Sequence, residues 1–447
     1  MKSKDVLLET SRKVLEGAIK LGFDEVAVSI SRRKEVMVKI ANSEPSVVQR
    51  WSVLNVGLYL SKDKRIFVVS CQPAKVEDAE LLVRDISALV QRATPSPFYA
   101  PLPGPQPIKP LSNLVDSSIL KYMENPAEIA ERMIEAAFRN KIDSVAGMID
   151  LTYGERVLVT SKEVCLYEDA TSLETYIRAF AGKGSGQWAF GSRRLNMLKL
   201  EEVAKIASNF ALESKNPEPA KPGVYDVVLS PMVVGNLFNL VAMMSSAFSV
   251  LMGLSIFMRN KPGDKVASSN LTLIDDVRNP SLPGSTAFDD EGIPTFTKPI
   301  IEGGLLKTLL HNTKTAVKMK AKPTGNAGWI VPHAWNLRVE LGEYSFEELI
   351  SEVRKGLLIT NNWYTRLQNY VEGLFSTIAR DALFLIENGE ITKPLTKLRI
   401  ADRLPTLLNN IVALGKEPYD IKWWEVGVPT RTPYVLAKSI HTSKHVV

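Results

Sequence analysis

The sequence predicts an α+β protein: a duplicated αβ N-terminal region followed by a β-rich, largely antiparallel C-terminal domain around a buried helix. Three observations predict it. GFDEVAVSI from Gly22 and KIDSVAGMI from Lys141 each follow a helical stretch and open a run of strands, so one αβ unit of about 90–100 residues occurs twice. Past Gly223 short alternating segments are separated by turn residues. Between Asp226 and Arg259 no charged residue occurs, in a chain that is 23% charged. Such a run is either a bilayer span, which needs about 20 apolar residues, or a helix buried on nearly all sides.

The N-terminal region is assigned to residues 1–215, with repeats over about 1–93 and 125–215. Val6, Leu7, Val14, Leu15 and Ile19 recur at helical spacing over residues 5–20. Glu25–Ser31 and Glu35–Ala41 alternate as two strands joined by Arg32-Arg33-Lys34, and Val53–Leu60 and Ile66–Ser70 follow as further strands. Val76–Arg92 is a second amphipathic helix. The proline-dense run from Thr94 to Pro110 lies in the connector 94–124 and reads as an extended segment packed across the surface, in preference to a docking motif. In the second repeat Pro126–Asn140 is a helix, and Ser144–Leu151, Glu155–Ser161 (after a Tyr153-Gly154 turn) and Ser172–Gly182 are strands. Leu200–Leu212 closes it as a helix. Gly182, Gly184 and Gly186 match neither the P-loop nor the dinucleotide fingerprint, so a flexible hairpin tip is expected.

Asn216–Gly223, with its prolines, marks the boundary to a C-terminal domain over 223–447. Val227–Leu229 reads as a strand, set off by Pro231 and Gly235 from the helix that follows. On that helix Asn236, Asn239, Ser246, Ser249 and Gly253 fall on one side, where small and amide side chains admit a close neighbour. Leu237, Phe238, Leu240, Val241, Met244, Phe248, Leu251 and Met252 form an apolar wall. The internal asparagines favour a buried helix over membrane attachment through 233–258. Leu271–Asp275, Phe296–Ile301, Leu305–Leu310, Asn336–Leu341, Thr377–Glu387, Glu390–Ile391 and Leu398–Ile400 read as strands. Helices are expected over Phe346–Lys355, behind a Ser345/Glu348 capping box, and over Arg403–Leu414.

Composition narrows the function classes. At 447 residues the chain holds two or more domains, and 45% hydrophobic content is ordinary for a globular protein. Net charge is +6, but the basic residues are scattered. Arg32-Arg33-Lys34 and Arg193-Arg194, the densest groups, are not interleaved with aromatics, so nucleic-acid binding is not expected. The first residues carry charge throughout, with no apolar signal-peptide core, and Cys71 and Cys165 are the only cysteines; a reducing cytoplasm is expected. Six glutamines in 447 residues lean towards a heat-adapted source.

Candidate chemistry is sparse. His441 and His445 are four apart, a spacing that chelates metal on a helix, but they lie in what reads as a frayed tail. Neither a His-Glu metalloprotease motif nor a nucleophile elbow occurs. The one acidic cluster is Asp289-Asp290-Glu291 before Gly292. It could bind a cation or act as acid and base, which defines a stand-alone hydrolase as the alternative function. The plainer reading is a turn in which Asp accepts backbone N–H groups and Gly292 takes positive φ. Thr324-Gly325-Asn326 belongs to a second, neutral turn that either lies against a peptide backbone or connects strands.

LPGSTAFDDEGIPT, IIEGGLLKTLLHNTKTA, PTGNAG, LFLIENGEI and a closing VPTRTPY occur in an order and spacing that resemble the TldD/PmbA family. The resemblance covers most of the chain and is most specific from Leu282 to Gly328. It implies a place in zinc metalloprotease complexes, in which a TldD-type subunit carries zinc on a His-Glu-x-x-x-His helix with a downstream cysteine ligand. A related PmbA (TldE)-type subunit carries none. Set against that helix, this chain has Asn239 and Met244 at the histidines and Leu240 at the glutamate, and no cysteine follows Cys165. The resemblance therefore implies a PmbA-type subunit with no cofactor of its own and zinc in its partner. The implied partners are a TldD-like zinc subunit and a peptide or unfolded protein, with a homodimer also open. Asp289, Asp290, Glu291, Thr324, Gly325, Asn326 and Arg431 are family-motif or peptide-groove candidates.

Overall fold

The computed structural model describes residues 3–72 and 78–444. In its N-terminal half six antiparallel strands form one sheet, in the order Arg65–Cys71, Glu44–Lys62, Glu25–Ala41, Ser144–Thr160, Cys165–Ala181, Gly184–Ser192. The two repeats each supply a three-stranded meander, and the meanders join where Glu25–Ala41 pairs with Ser144–Thr160. Alternation along Glu25–Ala41 puts Val26, Val28 and Ile30 in one core with Leu7 and Val14 of helix Ser3–Lys20. It puts Val36, Val38 and Ile40 in another, with Ile129 and Met133 of helix Ala127–Phe138 and Leu200 of helix Met197–Glu213.

That arrangement corrects two expected turns. Arg32-Arg33-Lys34 and Tyr153-Gly154 are not turns; they lie opposite each other in one continuous ladder, Arg33 facing Gly154 and Lys34 facing Tyr153. Arg32 and Lys34 share the face of Ile30 and Val36, so the charges mark the gap between two helix layers on a long strand. Gly182 does take positive φ at a hairpin tip, but Gly184 and Gly186 lie in a strand pressed against helix Met197–Glu213. A Cβ on Gly186 would stand 2.2 Å from the Ala207 carbonyl oxygen. The helix expected over Val76–Arg92 covers Asp78–Leu89 with a 3-10 turn after it, and its first two positions lie outside the described residues.

The sheet's opposite face carries Ala27, Tyr59 and Leu158, which pack with Leu102 of the proline-rich connector and with Ala287 and Phe288. The connector is anchored there by Glu25, which accepts from the Tyr99 hydroxyl and the Leu102 N–H, both at 3.1 Å.

In the C-terminal half five strands close on themselves as a barrel: Lys355–Asn369, Gly223–Leu229, Val435–Lys444, Leu398–Arg403 and Leu374–Glu387, the last pairing back to the first. A separate six-stranded sheet runs Leu305–Leu306, Lys298–Glu302, Leu273–Asp275, Leu337–Val339, Val426–Thr432, Tyr419–Trp423. One core joins Leu357, Phe375 and Ile400 of the barrel to Leu273, Ile300 and Leu337 of this sheet. Between them it takes in Val233, Leu237, Phe238, Val241 and Met244 of the uncharged stretch.

That stretch is a helix over Pro231–Met244, capped by Ser230, and eleven of its fourteen residues are buried. Gly235 lies inside it. The helix stops at Ser245 because the chain there pairs with Leu310: the Leu310 N–H donates to Ser245 O and the Ala247 N–H to Leu310 O. A separate short helix follows over Ala247–Leu251. The small-residue stripe expected to run through Ser246, Ser249 and Gly253 therefore ends with the first helix. No helix among the described residues, those across 233–258 included, is long and apolar enough to cross a membrane.

Other corrections follow from turn chemistry. The helix expected over Arg403–Leu414 is Leu404–Asn409, after which Ile411–Leu414 pairs with the final strand. Helix Phe346–Ser351 keeps its predicted capping box but ends early, freeing Lys355–Asn369 for the barrel. The strand expected over Leu305–Leu310 is only Leu305–Leu306. His441 is no frayed end: it sits in strand Val435–Lys444 with Nδ1 3.0 Å from Asp402, while His445 lies outside the described residues.

Candidate functional site

Two polar constructions stand at the centre of the C-terminal half. The first is on the buried helix. Asn236 and Asn239 are its only polar side chains, and a buried amide needs partners. Asn236 donates to the Glu425 backbone carbonyl at 2.8 Å and accepts from Asn362 and Thr365 at 2.9 and 2.7 Å. Asn239 donates to Gly235 O, Val428 O and Thr430 Oγ1, and accepts the Val428 N–H at 2.7 Å. Both amides thus tie the helix to its neighbours, Asn239 to strand Val426–Thr432. Leu240 is half-buried, and Met244 is 0% exposed within the apolar core.

Zinc takes thiolate, imidazole or carboxylate ligands. Asn239, Leu240 and Met244 supply an amide oxygen already held by a backbone N–H, an alkyl group and a buried thioether. This donor set does not fit zinc, and no cluster of three or more His, Cys, Asp or Glu among the described residues is arranged to hold a metal.

The second construction gathers several residues singled out in the sequence. Asp289 accepts the N–H groups of Glu291, Ile293 and Ala327 at 3.0, 2.9 and 2.9 Å, and Gly292 takes φ +80°, as the turn reading requires. Burial and the neighbouring Glu291 push the Asp289 carboxyl up to about 8, against the pull of the Ala327 and Ile293 N–H groups. Asp290 pairs at 3.0 Å with Arg156, which reaches across from the N-terminal sheet and lies over the Phe288 ring. Glu291 is bound at 2.6 Å by Lys314 and at 2.8 Å by the Thr313 N–H; both charged side chains are buried, and the Lys314 amine sits over the Tyr59 ring. All three carboxylates hold the loop to the two halves of the molecule. Each of the three already has a partner.

The Thr324 turn lies against the Asp289 turn. Thr324 Oγ1 accepts the His311 N–H at 2.8 Å, Gly325 at φ +67° offers its carbonyl to the Trp335 indole, and Asn326 donates to Asp275 at 2.6 Å and to the His333 carbonyl. Arg431 is not part of this group. It forms a bidentate pair with Asp420 at 2.6 and 2.8 Å within one hairpin, and that pairing raises its pKa.

Sequence reasoning missed the residues that bind these turns together. Asp275, fully buried, accepts from Lys298, Asn326, Trp335 and Asn336. Asn312 caps helix Thr313–Met319, and His311 is buried with Nδ1 lacking a partner. The Asn-Thr-Lys-Thr run carried a cap signal; Asp275 looked like a strand end and gave none.

The architecture is that of an α+β protein with a duplicated sheet and a barrel-centred C-terminal half. Family models describe the same three parts: PmbA/TldA metallopeptidase domain 1 matches residues 26–94, the central domain 117–215 and the C-terminal domain 222–444. The chain belongs to the PmbA/TldD family. A metalloprotease of Methanocaldococcus jannaschii is 29% identical over 331 residues, covering 69% of this chain and 72% of the relative. The metalloprotease PmbA of Escherichia coli is 32% identical over 164 residues, 36% of this chain and 35% of that protein. TldE from Thermococcus kodakarensis shares the fold at a TM-score of 0.84 and 20% identity, over 97% of this chain and 100% of that one. So does a Thermotoga maritima protein described as a modulator of a DNA gyrase, at 0.83 and 24%, over 97% and 99%.

Proposed function

We propose that this chain is the non-zinc-binding subunit of a cytoplasmic metalloprotease complex, paired with a zinc-bearing TldD-type subunit to cleave peptides or unfolded protein. The observation that carries the reading is the engagement of Asn239. At the position the family resemblance gives to a zinc ligand stands an amide bound to both backbone groups of Val428. Leu240 and Met244 complete a wall with nothing to activate water. The chain carries no cofactor in this reading; zinc belongs to the partner.

The surface past the helix supports a docking role. Met243, Met252, Leu254 and Met258 are each 41–49% exposed around the turn that ends it, and adaptable thioethers suit a protein partner. In this reading Asp289, Asp290, Glu291, Thr324, Gly325 and Asn326 hold the two turns in place and do not react. Residues 1–215 and 223–447 are the proposed units, the first presenting the sheet and the second the wall.

The test is reconstitution. The isolated chain is expected to cleave no peptide, and its mixture with a TldD-type subunit from the same cell is expected to co-elute and cleave. Cleavage by the isolated chain, or a partner equally active without it, contradicts the reading.

A further inference from the structure

Between the six-stranded N-terminal sheet, with strands of both repeats, and the C-terminal half runs a groove of two adjoining cavities, about 410 and 360 Å³, which share Arg178. Its ionisable lining is one-sided: Lys39, Arg178, Arg380, Lys183 and Lys397 face a single carboxylate, Asp381. That carboxylate is already occupied. Its Oδ1 accepts from Arg178 Nε and Ser185 Oγ, and its Oδ2 from Asn361, with Arg380 Nε 3.2 Å away. Glu425, near Arg380, is engaged by Asn236 and the Tyr364 N–H. Lys39, Lys183 and Lys397 are exposed and make no ion pair among the described residues. Like charges focused in a cleft attract an anion.

Two further features specify that anion. Gln187 and Trp423 line the first cavity, are 3% and 1% exposed, and leave Nε2 and Nε1 without a partner. Both nitrogens are buried behind the wall, whose one carboxylate is satisfied. Beside them Trp424 stands 64% exposed, edge-on to Trp423 at 5.8 Å. The ligand must bring negative charge for the lysines and some apolar surface for Trp424. Successive aromatic platforms for stacked bases are missing, because Arg178 and Arg380 already cover the Phe180 and Trp363 rings.

We propose that this groove binds an extended acidic peptide segment, its carboxylates on the lysines and an apolar side chain against Trp424. The proposal takes its substrate class from the peptide-handling reading above. Its measurement uses this chain alone, so its failure leaves reconstituted cleavage untouched, and the reverse.

The test is fluorescence anisotropy on the full chain, with a labelled peptide of alternating Glu and Ala, its Lys–Ala counterpart and an oligothymidine of equal charge. The acidic peptide is expected to bind at least about tenfold tighter than the basic one, and to weaken as salt rises. The combined variant Lys39→Glu, Lys183→Glu, Lys397→Glu, at exposed positions that leave folding intact, should lose at least about tenfold. Trp424→Ala should weaken binding, and Lys261→Glu, outside the groove, should change nothing. Equal affinity for the two peptides, undetectable binding of the acidic one, an unaffected triple variant, or tighter binding of oligothymidine would each overturn the proposal.

Discussion

Asn239 satisfies both backbone groups of Val428: its Oδ1 accepts the Val428 N–H at 2.7 Å and its Nδ2 donates to the Val428 carbonyl at 3.1 Å. A side-chain amide here does the work of a neighbouring strand, holding the buried helix to the sheet. Replacing it with leucine keeps the volume but strands the Val428 N–H, while the carbonyl keeps the Thr430 hydroxyl at 2.9 Å. Asn239→Leu is expected to cost about 1–3 kcal/mol, read as a lowered urea midpoint at constant slope.

The Glu291–Lys314 pair, at 2.6 Å and with both side chains 5% exposed or less, joins the acidic turn to helix Thr313–Met319. Lys314→Met leaves a buried carboxylate and is expected to cost about 3–5 kcal/mol. Adding Glu291→Gln should recover part of that loss in the same denaturation experiment, because the uncompensated charge is gone.

Gly325 sits at φ +67°, and a Cβ there would stand 2.6 Å from the Pro294 carbonyl oxygen. Left-handed backbone costs a residue with a Cβ about 1–2 kcal/mol even without a clash. Gly325→Ala should lower the melting temperature by more than that strain alone would, and Gly263→Ala, at φ +100° with open space around it, should lower it less.

Two buried groups act in opposite directions on acid stability. Burial lowers His311 to about 4, so the unfolded chain binds the extra proton and stability falls as pH drops from about 6.5 towards 4. Asp289, raised to about 8, binds its proton more tightly when folded; its contribution is full below about 4 and lost as pH rises through 8. In urea titrations between pH 7 and 5, His311→Gln should flatten the loss on acidification, and Asp289→Asn should steepen it.

Much of the fold was legible because it rests on local patterns. The repeat pattern after Gly22 and Lys141, the uncharged run and the Ser345 cap each correspond to a real element. What failed did so where tertiary contacts overrode local signals. Arg32 to Lys34 look like a turn until a second helix layer is known to cover Val36–Ile40. The helix after Pro231 ends because the Leu310 backbone pairs beside Ser245, and that residue lies far along the chain. The Asp289 turn was readable from Asp and Gly292, but its tethers, Arg156 and Lys314, come from distant segments and carry no local mark. Arg431 was grouped with the turns through the resemblance of its VPTRTPY motif, whereas its hairpin partner Asp420 claims it.

The helix holding Asn239 and Met244 is proposed to bind no zinc of its own. Elemental analysis of the purified chain, after incubation with excess zinc and exhaustive dialysis, tests it most directly. The expected result is zinc far below one equivalent per chain, with stoichiometric metal only when the TldD-type subunit is present; one tightly held zinc in the isolated chain would contradict it.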